Sequence, residues 1–197
     1  WSANGASLYI AAGDYQGRLE PLWQSLAYRV DASSGAAALL TEQLLEEFRY
    51  LEFAPDGSRG IYSDVYASEM TTIDFATDLQ TPLAIGYAPR YSKDGSRIVF
   101  TQDVYGGAPD FLYYQPLFIM NSHGGTIHRL TNARVDNLEY TAADWSDDGT
   151  HVLVNRTLFI DPALTISRTA LRIINVNTGA VTRLPDGYAG PGAWFEQ

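Results

Sequence analysis

The sequence predicts an all-β chain, a β-propeller built of four-stranded antiparallel blades, and three observations carry that prediction. First, "WSANGASLYI", "FAPDGSRGIY", "YSKDGSRIVF" and "WSDDGTHVLV" align without gaps on an aromatic residue and a glycine four places later, at Trp1/Gly5, Phe53/Gly57, Tyr91/Gly95 and Trp145/Gly149. A fifth, incomplete copy, "GPGAWFEQ", puts Trp194 in the aromatic slot, and the anchors are spaced 52, 38, 54 and 49 residues apart. Most of these spacings lie near the roughly 40–50 residues of a four-stranded propeller blade. Second, each unit repeats the same four strand signals in the same order. Third, helical periodicity is weak, and "TEQLLEEF" (41–48) is the only segment that reads as a helical turn.

The first strand of a unit runs into the aromatic anchor: "RYLEF", "YAPRY", "TAADW" and "GPGAW". A tight turn follows ("ANG", "PDG", "KDG", "DDG"), in which Asn or Asp hydrogen-bonds its own backbone and Gly tolerates positive φ. The second strand begins with an apolar triplet: Leu8-Tyr9-Ile10, Gly60-Ile61-Tyr62, Ile98-Val99-Phe100 and Val152-Leu153-Val154. A continuous apolar run, unlike an alternating one, is covered on both faces, as in stacked sheets. The third strand reads "LAYRV", "TTIDF", "LFIMN" and "LRIINV". It turns into a fourth, "AAALLT", "TPLAI", "TIHRLT" and "AVTRLP". The blade units therefore span about 1–48, 49–85, 86–137 and 138–186 of a single domain 1–197, with a terminal strand at 187–194.

The segments "YSKDGSRIVFTQD…LFIMNSHGGTIHRLTN" and "WSDDGTHVLVNR…LRIINVNTGAVTRLPD" resemble the repeats of TolB-like (WD40-like) β-propellers. The resemblance runs over nearly the whole chain, is strongest in the third and fourth units and loosest in the second. It implies fold, because the matched residues are structural. It also implies an extracytoplasmic setting, periplasm or cell envelope, and a binding module or a propeller appended to a peptidase.

Composition narrows the function. Thirteen Lys+Arg against 23 Asp+Glu give a formal charge of −10, which argues against nucleic acid, whose affinity comes from cationic side chains meeting phosphates. The chain has no cysteine, so disulfides and thiolate metal sites are excluded. No apolar run approaches the roughly 18–20 residues of a membrane span, and no segment of the given sequence reads as a signal peptide. The start at Trp1 reads as a processed or excised piece.

In an antiparallel meander the turns after strands one and three share one face, and these are short and polar. The opposite face receives the long insertions, 13–24, 103–115 and 156–169, with only 64–68 in the second unit. These loops carry Tyr15, Trp23, Tyr66, Tyr105, Phe111, Tyr113, Tyr114 and Phe159, joined by Arg18. Such loading suggests a partner-binding surface, since aromatic residues concentrate at interfaces; the competing reading is aromatics folded back within their own loops. The charges on the same loops, Asp14, Glu20, Asp103, Asp110, Asp161, Arg156 and Arg168, read as solvated rim residues.

No catalytic or metal constellation emerges. His123, His128 and His151 are expected on or near the short-turn face or blade edge, away from the aromatic loops. "DWSDDG" (144–149) lacks the D-x-D-x-D-G order and closing Glu of a calcium loop, so Asp144, Asp147 and Asp148 read as turn builders. There is no G-x-S-x-G elbow, and the sequon "NRT" (155–157) is of the kind that arises by chance. No cofactor or metal is expected.

The expected function is thus a non-catalytic propeller that binds or scaffolds a protein or peptide through its aromatic loop face. The alternative is the propeller portion of a peptidase-type or carbohydrate-active enzyme whose catalytic residues lie outside this chain. The first unit lacks its first strand, and 187–194 is a first strand without partners. That strand would complete blade one of the same chain, complete blade one of a second copy, or leave both edges to a larger assembly; the cut at Trp1 favours the last.

Overall fold

The structure, a computed structural model, describes residues 1–2, 4–14, 24–41, 45–46, 48–64, 68–105, 113–131, 137–160 and 167–184. Over these residues it consists of strands and turns, with no helix. The chain divides into two compact units, Trp1–Pro89 and Arg90–Gln197.

In the first unit, blade one contains β1 (Ser7–Asp14), β2 (Gln24–Asp31) and β3 (Ala37–Leu39), antiparallel in that order. A further strand, β4 (Leu45–Glu46), pairs with β2 beyond the end of β3, Ser25 facing Leu45. This overturns the helical turn expected over 41–48: Leu45 and Glu46 are strand, and Phe48 already opens β5. The backbone of β2 runs past β3, and pairing with its open edge outweighs a weak local propensity. Blade two is a complete meander of β5 (Phe48–Phe53), β6 (Arg59–Asp64), β7 (Glu69–Asp74) and β8 (Gln80–Ile85). The blades of this unit meet where Tyr9 stacks on Phe53, ring centroids 5.3 Å apart.

Blade three consists of β9 (Tyr87–Tyr91), β10 (Arg97–Thr101), β13 (Leu117–Asn121) and β14 (His128–Arg129). Between β10 and β13 lie two short strands, β11 (Val104–Tyr105) and β12 (Tyr113–Gln115). Blade four follows with β15 (Leu138–Trp145), β16 (His151–Phe159), β17 (Ser167–Asn175) and β18 (Val181–Arg183). Each four-strand order matches the one read from the repeats. The terminal strand expected at 187–194 lies outside the described residues.

Burial falls from the inner strands outward. In β10, Ile98, Val99 and Phe100 are fully buried, whereas all three residues of β18 are exposed. One cluster in the second unit joins Val99, Leu117, Ile119 and Leu130 of blade three to Leu138, Tyr140, Trp145, Val152, Val154 and Ile174 of blade four. Each fully buried aliphatic side chain of this kind contributes about 1.5–3 kcal/mol. The anchors Tyr91 and Trp145 are buried, and the Trp145 indole N–H donates to the Arg90 carbonyl at 3.2 Å.

The turn after each anchor is a small hydrogen-bonded device repeated four times. The oxygen of Asn4, Asp56, Asp94 or Asp148 accepts the backbone N–H two residues on, at 2.9–3.0 Å. In blades one, three and four a serine precedes it: Ser2, Ser92 and Ser146 donate to that oxygen at 2.6–2.8 Å. The same serine oxygens accept the N–H that opens the next strand, from Ser7, Arg97 and His151. Blade two carries Ala54 in this slot. Gly5, Gly57, Gly95 and Gly149 all have φ between 65° and 70°, the left-handed conformation glycine permits.

Candidate functional site at the loop end of blade four

The long insertions are more regular than the sequence implies. The 156–169 insertion is largely hairpin, because β16 and β17 stay paired to Phe159↔Ser167. The 103–115 insertion folds into the β11–β12 hairpin and crosses to the next blade, where β12 pairs in parallel with β15, Tyr114 facing Leu138 and Gln115 facing Glu139. Blade four thereby becomes a six-stranded sheet, β11-β12-β15-β16-β17-β18.

Strand alternation sorts this hairpin onto two faces. Val104 and Tyr114 face the interior; Tyr114 is 4% exposed within the core cluster, its ring under the Arg129 guanidinium at 5.2 Å. Tyr105, Tyr113 and Gln115 take the other face, in register with Glu139. Tyr105 is 73% exposed and leans on Tyr113, centroids 5.3 Å apart. Beneath them Asp103 accepts from the Tyr113 hydroxyl at 3.1 Å and from Gln115 Nε2 at 3.0 Å, and Gln115 Nε2 also donates to the Tyr113 oxygen.

Burial, then the charge of Asp103, pushes the Tyr113 phenol up to about 12. The same two causes in the same order raise the Glu139 carboxyl above its usual range. Tyr113 is therefore a neutral hydrogen-bond donor locked onto a carboxylate, and the half-buried acids beside it make this end of the sheet electronegative. The cluster joins a phenol and two carboxyl groups at the edge of the sheet. It offers an exposed aromatic surface over an acidic, hydrogen-bonded floor.

Of the expected partner-binding residues, the structure brings together Tyr105, Tyr113 and Phe159. Phe159 is half-buried at the end of β16; its N–H donates to the Asn137 carbonyl at 3.0 Å, while the Asn137 N–H donates to the Tyr113 carbonyl at 2.7 Å. Tyr114 departs from the expectation: adjacent strand residues point to opposite faces, and it is the interior one. Tyr15, Arg18, Trp23, Tyr66 and Phe111 lie outside the described residues, as do Glu20, Asp110 and Asp161. Asp103 is a hydrogen-bonded, half-buried acceptor and not the solvated rim charge expected. Arg156 is half-buried in β16 and Arg168 exposed in β17. Gln115 and Glu139 escaped the sequence reading; period-two alternation through "YYQ" was the available signal, but the partner strand is 24 residues away.

The remaining candidates behave as turn and edge residues. His123 and His128 are exposed, and His151 contacts Thr150 Oγ1 at 2.7 Å and Asn175 Nδ2 at 3.2 Å. Asp148 is engaged by Ser146 and Thr150, and Asp144 pairs with Lys93 at 2.9 Å. Asn155 of the sequon is a half-buried mid-strand residue whose Oδ1 is buried without a hydrogen-bond partner, unlike a surface acceptor. No helix among the described residues is long and apolar enough to cross a membrane.

No protein-family model and no curated protein matches the sequence. Solved structures do. A protein assigned as TolB from Agrobacterium tumefaciens superposes with a TM-score of 0.63 at 18% identity, over 92% of this chain and 62% of that one. Acylaminoacyl peptidase from Pyrococcus horikoshii matches at 0.57 and 10% identity, over 92% of this chain and 31% of that one. Dipeptidyl peptidase 4 from Porphyromonas gingivalis gives 0.54 and 9%, again over 92% and 31%. The chain thus spans about three fifths of the first structure and under a third of the two peptidases. With its repeated four-stranded antiparallel sheets, the chain has the fold of a β-propeller.

Proposed function

We propose that this chain is a non-catalytic propeller of the TolB-like kind, working outside the cytoplasm in the periplasm or cell envelope, that binds a protein or peptide at the loop end of blade four. The observation that carries the reading is Tyr105, 73% exposed, its ring tilted against a half-buried Tyr113 that is pinned by Asp103 and Gln115. A large aromatic held rigidly at the surface loses little conformational freedom on binding, which is the property of interface hot spots. The likeness to the TolB structure supports the family assignment, and the setting follows from that assignment. The likeness to two peptidases supports a second reading, in which this propeller accompanies a hydrolase domain. A G-x-S-x-G segment with Asp and His elsewhere in the parent gene would favour it; further blades alone would favour the binding module.

The test is a random-peptide library selected on the wild-type chain and re-measured on Tyr105→Ala. Truncation of an exposed side chain leaves stability within about 0.5 kcal/mol, while a hot-spot aromatic costs 2 kcal/mol or more in binding, roughly thirtyfold in Kd. Peptides that bind both proteins equally, or a library that yields none, would overturn the assignment of this surface.

A further inference from the structure

Away from the loop end, a cleft of about 680 Å³ opens between β13–β14 of blade three and the β17–β18 turn of blade four. Its volume is that of a small-molecule site. Its lining is mainly polar, with small apolar patches from the largely buried Ile119, Leu130 and Val176. At one end the blades nearly touch: a Cβ placed on Gly179 would lie 3.2 Å from the Leu130 carbonyl.

Two guanidinium groups, Arg97 and Arg129, line the walls, and none of the described lining residues is acidic. In a molecule of formal charge −10 this is a local inversion of sign. Both groups are held in place. Arg97 Nη2 donates to the Gly149 carbonyl at 2.6 Å and the group lies over the Trp145 ring at 5.2 Å. Arg129 Nε donates to the Thr131 carbonyl at 2.6 Å, with its guanidinium over Tyr114. The charge of Arg97 is partly taken up by Asp94, whose carboxyl it helps hold low. Arg129 has no such partner among the described residues, and its Nη2 is buried without a hydrogen bond. Clamping Tyr114 accounts for the stem and ring contact of Arg129. Its Nη1 also lies 3.5 Å from the Tyr114 hydroxyl, and its charge, unpaired among the described residues, reaches the cleft as a positive field rather than through a free N–H.

We infer that this inter-blade cleft binds a small organic carboxylate. The acid group would meet the positive field of Arg129 and Arg97, and the apolar body would cover Ile119, Leu130 and Val176. The apolar patches favour an organic anion over a bare inorganic one, which gains nothing from apolar contact.

Calorimetry with benzoate, its neutral isostere benzamide and inorganic phosphate tests the assignment on the full chain. Benzoate should bind saturably, one per chain, with benzamide and phosphate each at least about tenfold weaker. Arg129→Gln should abolish the preference for benzoate over benzamide. Should that variant fold poorly, Thr126→Glu places a negative charge at an exposed lining position; it should weaken benzoate about tenfold with an unchanged unfolding midpoint. Equal binding of benzamide, tighter binding of phosphate, no saturable benzoate binding, or wild-type affinity in the folded variants would each overturn the inference.

Discussion

The four turn glycines share one backbone conformation but not one environment, and that difference is measurable. At Gly5, φ is +68° and nothing lies within 4 Å of the position a Cβ would take. At Gly57, φ is +70°, and the tip of the Tyr9 ring occupies that position. Gly5→Ala should therefore cost only left-handed strain, about 1–2 kcal/mol. Gly57→Ala should cost more, because the ring must leave its stack on Phe53. In denaturant unfolding the Gly57→Ala penalty should shrink once Tyr9→Leu is added, while Gly5→Ala should be additive with the same change. Equal penalties at the two glycines would mean that Tyr9 is not seated on the turn.

At the scale of the element, the serine-aspartate turn explains what was legible in the sequence. Asx and Gly stand at fixed offsets because each makes a bond inside six residues, and local bonds leave local signatures; the aromatic beside them packs at longer range, as Trp145 does on Arg90. Every strand beside such a turn was placed correctly. The misread parts depend on pairing over distance. The β4 segment is set by β2, and the inward turn of Tyr114 by β15; "YYQ" alone does not reveal which face will be covered. Blade two supplies a test of the turn. Ser146 is buried and bonds Asp148 and the His151 N–H, so Ser146→Ala should lose about 1–2 kcal/mol. Ala54, in the same slot and equally buried, should accept serine at no cost or with a gain up to about 1 kcal/mol. A destabilised Ala54→Ser in thermal melts would show that the blade-two turn is built differently.

For the whole molecule, these turns make stability sensitive to acid. Asp94 and Asp148 are both held at about 2, Asp94 by the Ser92 hydroxyl first and Asp148 by the Thr150 N–H first. Asp56 and Asp74 are lowered by bonds within their own turns, from Ser58 and Thr77 respectively. For a carboxyl whose folded pKa is depressed, the stabilisation is complete above the unfolded value of 3.8 and disappears as pH falls through the folded one. The unfolding midpoint should therefore drop steeply between about pH 4 and pH 2. Asp148→Asn should flatten that slope. Glu139 works in the opposite sense: its raised carboxyl is stabler protonated, so it disfavours the fold as pH rises above its unfolded 4.5. A midpoint independent of pH below 4 would contradict the turn bonding.

The crossing of β12 from the blade-three insertion into the blade-four sheet bears on how the second unit comes apart. Stacked repeats ordinarily behave as a row of neighbours, each with its own stability and a coupling across the shared wall. Here a strand encoded inside one repeat is a hydrogen-bonded member of the next, so blade three cannot open fully without stripping an edge from blade four. The pair should melt as one cooperative step. Native-state hydrogen exchange should give the amides of β10 and β16 the same opening free energy. Tyr114→Ala removes a buried aromatic, at about 3–5 kcal/mol, and should do more than lower that common value. By loosening the clasp it should split the two amide sets, so that one blade samples the open state while the other stays shut.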